Sequence, residues 1–138
     1  MNLNYTDTFI AVAEDCRAKE GTKPLERGGK PTAASVQYRM LVEEPYQHTQ
    51  EDILFESGAA IRDEPNPSKA ERDTRKAEFF SRSQACLRAS AMGKTYGWGI
   101  HFDAEGKAAA FGVETSEYKA FVADKSLDQT RAMRSKRA

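Results

Sequence analysis

The sequence predicts a single α+β domain over residues 1–138, with a small, mainly antiparallel sheet of about four strands packed by three or four helices. Three observations carry this. Tyr96, Trp98, Ile100 and Phe102 alternate strictly with Gly97, Gly99, His101 and Asp103, which is the period of a half-buried strand. Asp103-Ala104-Glu105-Gly106-Lys107 follows as a turn, with Gly106 able to take a positive φ, so Ala108–Val113 returns as the second strand of a hairpin. Helix-start chemistry recurs at Thr49, Ser68 and Thr115, each ahead of apolar residues at helical spacing.

In chain order, Thr8–Ala13 is short and apolar and stops at Glu14-Asp15, as a buried first strand does. Residues 17–30 contain Gly21, Pro24, Gly28 and Gly29 and read as one long loop, a length that in compact domains goes with function or mobility. Pro31 opens a helix with Ala33, Val36 and Met40 on one stripe, ended by Pro45; the alternation of Val36, Tyr38, Met40 and Val42 keeps a strand as the competitor. Thr49-Gln50-Glu51-Asp52 starts the next helix, with acids placed against the macrodipole. Asp63–Pro67 is a turn, and Ser68-Lys69-Ala70-Glu71 is a capping box for a helix running to Phe79-Phe80-Ser81. Ala85–Ser90 is read as a strand. Thr115 caps a helix whose core stripe is Tyr118, Phe121 and Val122. Ser126-Leu127-Asp128-Gln129 resembles another capping box, so residues 126–138 are expected to form a basic C-terminal helix or tail.

Composition excludes some functions. Lys plus Arg and Asp plus Glu number 21 each, so net charge is zero, and mean hydropathy is -0.72. The charge is uneven: residues 1–66 hold 7 basic and 12 acidic side chains, and residues 67–138 hold 14 and 9. No apolar run approaches the roughly 18 residues of a membrane span, and Met1–Asp15 has no secretory pattern. A cytoplasmic protein with two reduced thiols, Cys16 and Cys86, is the expectation.

Several motifs fail on their chemistry. Arg27-Gly28-Gly29-Lys30-Pro31 lacks the glycine of a phosphate loop, having Pro24 instead, and carries Pro31 where Ser or Thr must follow the lysine. Cys16, His48, Cys86 and His101 are metal-binding types, but no two stand at the close spacing that announces zinc, and no metal or cofactor is expected.

The informative feature is strand parity. With Trp98, Ile100 and Phe102 facing the core, Gly97, Gly99 and His101 form a second, nearly bare face. Glycines inside a strand mean that something approaches closely, either a ligand or partner, or an aromatic or helix of the same domain. If Ala85–Ser90 lies beside the hairpin, Cys86, Arg88 and Ser90 converge on His101. Arg88, Ser90, Lys94, Gly97, Gly99 and His101 would then bind a small anionic ligand. The enzymatic alternative makes Cys86 a nucleophile, its thiol activated by Arg88 and His101. A third reading gives Arg131, Arg134, Lys136 and Arg137 to a polyanion, although no stacking platform or base-reading group accompanies them. A free sheet edge would also permit a homodimer.

Four segments carry a resemblance: Thr6–Ala13 (TDTFIAVA), Gln84–Ser90 (QACLRAS), Tyr96–His101 (YGWGIH) and Arg131–Arg137 (RAMRSKR). Pro45-Tyr46 with Thr49–Asp52 and Leu54-Phe55 adds a middle segment. With these the chain resembles an uncharacterised family of short, stand-alone bacterial proteins, a domain of unknown function. The resemblance implies one complete domain and brings no activity, substrate or cofactor. The expectation is therefore a small binding or interaction domain, with an anionic small molecule or a protein as partner.

Overall fold

The computed structural model describes residues 4–134. β1 (Thr8–Ala11), β2 (His48–Thr49), β3 (Trp98–Phe102), β4 (Lys107–Gly112) and β5 (Asp128–Arg131) form one sheet in the order β2-β4-β3-β1-β5. All pairs are antiparallel except β1 with β5, which run parallel with Phe9 opposite Gln129. The sheet thus has one strand more than the sequence suggests.

The β3–β4 hairpin forms as the alternation requires, and Gly106 closes it at φ +80. Asp103 Oδ1 accepts from the Glu105 and Lys107 amides, both at 2.9 Å, which tightens the turn.

α1 (Ala33–Tyr38) is capped by Thr32 in a reciprocal box with Ser35, so Pro31 stands just before the cap rather than in the first turn. Its last turns widen into a π-helical segment, Arg39–Glu43, before Pro45 ends it. That widening buries both Met40 and Leu41 while Arg39 and Glu43 stay outside.

Thr49 and Asp52 cap α2 (Gln50–Ser57) reciprocally, α3 (Ala59–Arg62) follows, and Ser68 caps α4 (Lys69–Phe80). α5 (Ala91–Lys94) starts at Ser90, and α6 (Ser116–Ala123) at Thr115. Among the described residues no helix is long and apolar enough to cross a membrane.

Two expectations give way. Ala85–Ser90 is not a strand: after extended residues it turns through a 3-10 helix, Leu87–Ala89. The Leu87 amide is held by the buried Gln50 side chain at 2.8 Å, and Ser90 caps α5 instead of pairing in a sheet. Residues 128–131 are β5, not a helix. Ser126 bonds back to Asp124 in a turn, and the backbone beyond it satisfies the open edge of β1.

The core has two faces. Ile10, Ile100, Phe102 and Ala108 pack against Met40, Leu41, Ile53 and Met92. On the reverse, Phe9, Ala11 and Tyr118 are buried, with Phe111 and Phe121 packed against them. Of the expected α6 stripe, Tyr118 is buried, Phe121 half-buried and Val122 exposed.

Position 99 tests this packing. A Cβ there would sit 2.5 Å from Phe9 Cζ and 2.6 Å from Tyr118 Cε2. Gly99→Ala should lower stability in urea unfolding by about 1–3 kcal/mol through overpacking. Gly28→Ala, at φ +57 with nothing within 4 Å, should cost only about 1 kcal/mol of backbone strain.

Candidate functional site

β3 begins at Trp98, so Gly97, expected inside the strand, precedes it, and Gly97 and Gly99 are both approached by the chain itself. Gly99 lies under Phe9 and Tyr118, whose rings meet edge to face at 5.2 Å. Tyr118 is fixed by the Val12 amide, which donates to its hydroxyl at 3.1 Å. At Gly97, φ +82, a Cβ would stand 2.5 Å from the Glu20 carbonyl oxygen. The first half of the 17–30 loop crosses there. Its neighbour Gly21 rests on Trp98, whose indole N–H donates to Thr22 O at 2.8 Å.

His101 shares the face of Gly99 at its rim. Its ring stacks on Phe121 at 4.2 Å, and Nδ1 is hydrogen-bonded to the Tyr46 hydroxyl at 2.9 Å. Burial holds His101 below its ordinary pKa of 6.5, while Asp103, Asp124 and Asp7 pull the other way. Burial also raises Tyr46, helped by Asp103. Three carboxylates around one imidazole make this rim a poor seat for an anion.

The expected convergence on His101 does not occur. Cys86 Sγ accepts from the Tyr5 hydroxyl at 3.4 Å, and Tyr5 packs on Phe102, which points to the sheet face opposite His101. Burial first, then the bond to Cys86, pushes Tyr5 up to about 12. Arg88 Nε donates to Arg131 O, and the Arg88 carbonyl accepts from the Met133 amide, both at 2.7 Å. Ser90 is buried and donates to Gln37, and Lys94 ends α5.

The physical reason is the 3-10 turn, which removes the strand parity that would have put Cys86, Arg88 and Ser90 on one face. Of the residues given to a polyanion, Arg131 lies in β5 and Arg134 beyond its end, so the two share no helix; Lys136 and Arg137 lie outside the described residues. Both cysteines are unpaired thiols, and among the described residues no group of His, Cys, Asp or Glu is arranged to hold a metal.

A different feature emerges where the 17–30 loop meets α1. A cleft of about 500 Å³ opens there, within the range of small-molecule sites. Pro24, Leu25, Val36 and Tyr38 supply its apolar walls. Leu25 is 82% exposed, and Lys23 Nζ sits 5.6 Å from the Tyr38 ring centre.

The cleft wall is held at both ends. Its inner end is anchored on Trp98, and its outer end folds back through Arg27 and Lys30, paired across Gly28 and Gly29 at φ +57 and +75. Arg39, first residue of the π-helical segment, lines this cleft and also two neighbouring hollows. One, of about 250 Å³, is walled by Pro31, Val36, Ile61 and Pro65; the other, of about 480 Å³, contains the His48–Glu44 pair at 2.7 Å. The Arg39 side chain is 50% exposed, and its ion-pair partner, Glu44, is loose at 3.7 Å.

The sequence marks the loop by its glycines and prolines, Pro24 and Pro31 among the cleft's lining, but carries no mark at Arg39.

The depressed His101 gives a pH signature. The unfolded chain takes up a proton at 6.5 and the folded chain only at lower pH, so this group's contribution to stability falls as pH drops below 6.5 and levels off beneath the folded value. Urea midpoints between about pH 5 and 8 should show a steeper fall for the wild type than for His101→Gln.

No curated protein and no solved structure matches the chain. One family does, over residues 1–138, and it carries the description "family of unknown function". The chain therefore belongs to the family of unknown function DUF6157.

Proposed function

We propose that this chain is a small bacterial, cytoplasmic ligand-binding domain whose site is the cleft between the 17–30 loop and α1. The observation that carries the reading is a hollow of about 500 Å³, part apolar and part charged, lined by one half-exposed, loosely held guanidinium, Arg39. Apolar walls supply area, and the charged groups lining them, Arg39 foremost, supply orientation, the usual division in a small-molecule site. A ligand anion can replace the loose Glu44 contact with a bidentate one at little cost.

The unpaired thiols suit a reducing compartment. Binding is preferred to thiol catalysis because His101, the expected base, lies across the sheet from Cys86, and the Cys86 sulfur is engaged by the Tyr5 hydroxyl.

The test is thermal unfolding against a panel of small carboxylates, phosphates and zwitterions. A ligand at a hundred times its dissociation constant adds about 2.7 kcal/mol, which moves the midpoint by several degrees at this size. The shift should vanish in Arg39→Ala, whose own stability should change by less than about 1 kcal/mol because the ion pair is exposed and long. A shift that survives in Arg39→Ala and is lost in His101→Ala would place the ligand on the other face of the sheet.

A further inference from the structure

We infer that the ligand of this cleft is a short peptide with apolar side chains and both termini free, lying across the cleft and its smaller neighbour with its carboxylate on Arg39. The inference rests on the cleft reading and adds the ligand's chemical class.

The first ground is charge balance. The cleft carries Lys23 and Arg39 but also Glu26 and Glu43. Neither of these acids has an ion-pair partner among the described residues. A purely anionic ligand would meet two unneutralised carboxylates, each repelling it. A zwitterion satisfies both signs, its ammonium group towards Glu26 and Glu43 and its carboxylate on the guanidinium.

The second ground is shape. The cleft and the smaller hollow share Pro31, Val36 and Arg39, so they are adjacent rather than separate. Ile61 and Pro65 make the smaller one apolar, and at about 250 Å³ it takes one side chain rather than a whole metabolite. Its other charges are already engaged: Arg62 Nε donates to Ser57 O at 2.7 Å, and Glu56 is paired with Arg72. Arg39 therefore stands at the junction of two apolar hollows. A dipeptide fits this order, with its C-terminal side chain in the smaller hollow, its carboxylate at the junction and its amino end in the larger cleft.

Calorimetric titration of the full chain with Leu-Leu, N-acetyl-Leu-Leu, Leu-Leu-amide and free leucine tests this. Leu-Leu should bind tightest, and blocking either terminus should weaken binding by at least about tenfold, the loss of one charge-assisted bond. Free leucine, lacking the second side chain, should be weaker by a similar factor. In Glu26→Gln/Glu43→Gln, two exposed positions, the preference for the free over the acetylated amino group should disappear.

Equal binding of N-acetyl-Leu-Leu and Leu-Leu by the wild type overturns the zwitterion. Equal binding of free leucine overturns the two-hollow arrangement. Silence with all four probes overturns the peptide class. The cleft reading itself stands or falls separately, on whether any small carboxylate, phosphate or zwitterion shifts the wild type but not Arg39→Ala.

Discussion

The contact that seats Tyr118 and Phe9 on the bare α-carbon of Gly99 organises one whole face of the protein. Only a hydrogen at position 99 lets α6 approach β3 so closely. From that approach Tyr118 reaches the Val12 amide, Phe9 stacks against Phe121, and Phe121 covers His101. Gln129 then ties β5 to the end of α6 by donating to the Phe121 and Asp124 carbonyls. Much of the reverse face of the sheet is thus spent on packing.

The opposite face is held by polar groups as well as apolar ones. Gln37, Ser57 and Ser90 form a buried chain of hydrogen bonds linking α1, α2 and the start of α5. Gln50 adds a bond from α2 to the Leu87 amide. Among the described residues every buried side-chain nitrogen and oxygen has a partner. Such a network is costly unless complete, and when complete it holds helices in one arrangement. Its consequence for function is positional. α1 is pinned from inside, so its widened end holds Arg39 at the surface, against the wall formed by the 17–30 loop.

The hairpin, α2, α4 and α6 were legible because their signals are local. Strict alternation around Trp98 and a side-chain cap at Thr49, Ser68 and Thr115 each act within a few residues. Cys86–Ser90 misled because alanines on alternate positions bury too little to specify a strand, and the segment's conformation depends on Gln50, distant in sequence. β5 misled for a related reason: its partner is β1, over a hundred residues away, and a turn at Ser126 has the same residues as a helix cap. The glycines did report close approach, as expected, but composition alone cannot say whether the approaching group is a ligand or a tyrosine. Arg39 had no one-dimensional signal, because its importance comes from three hollows that meet in space.

The two faces divide the labour: β3's glycine face is packing surface, and the junction at Arg39 is the proposed binding surface. Soaking crystals of the protein with a library of small zwitterions and carboxylic acids tests it most directly. Fragments should collect beside Arg39, between Tyr38 and the Pro24–Leu25 wall, with the Phe9–Tyr118–Gly99 contact undisturbed. Fragments that displace Tyr118 and settle on Gly99 and His101, leaving the Arg39 cleft empty, would contradict it.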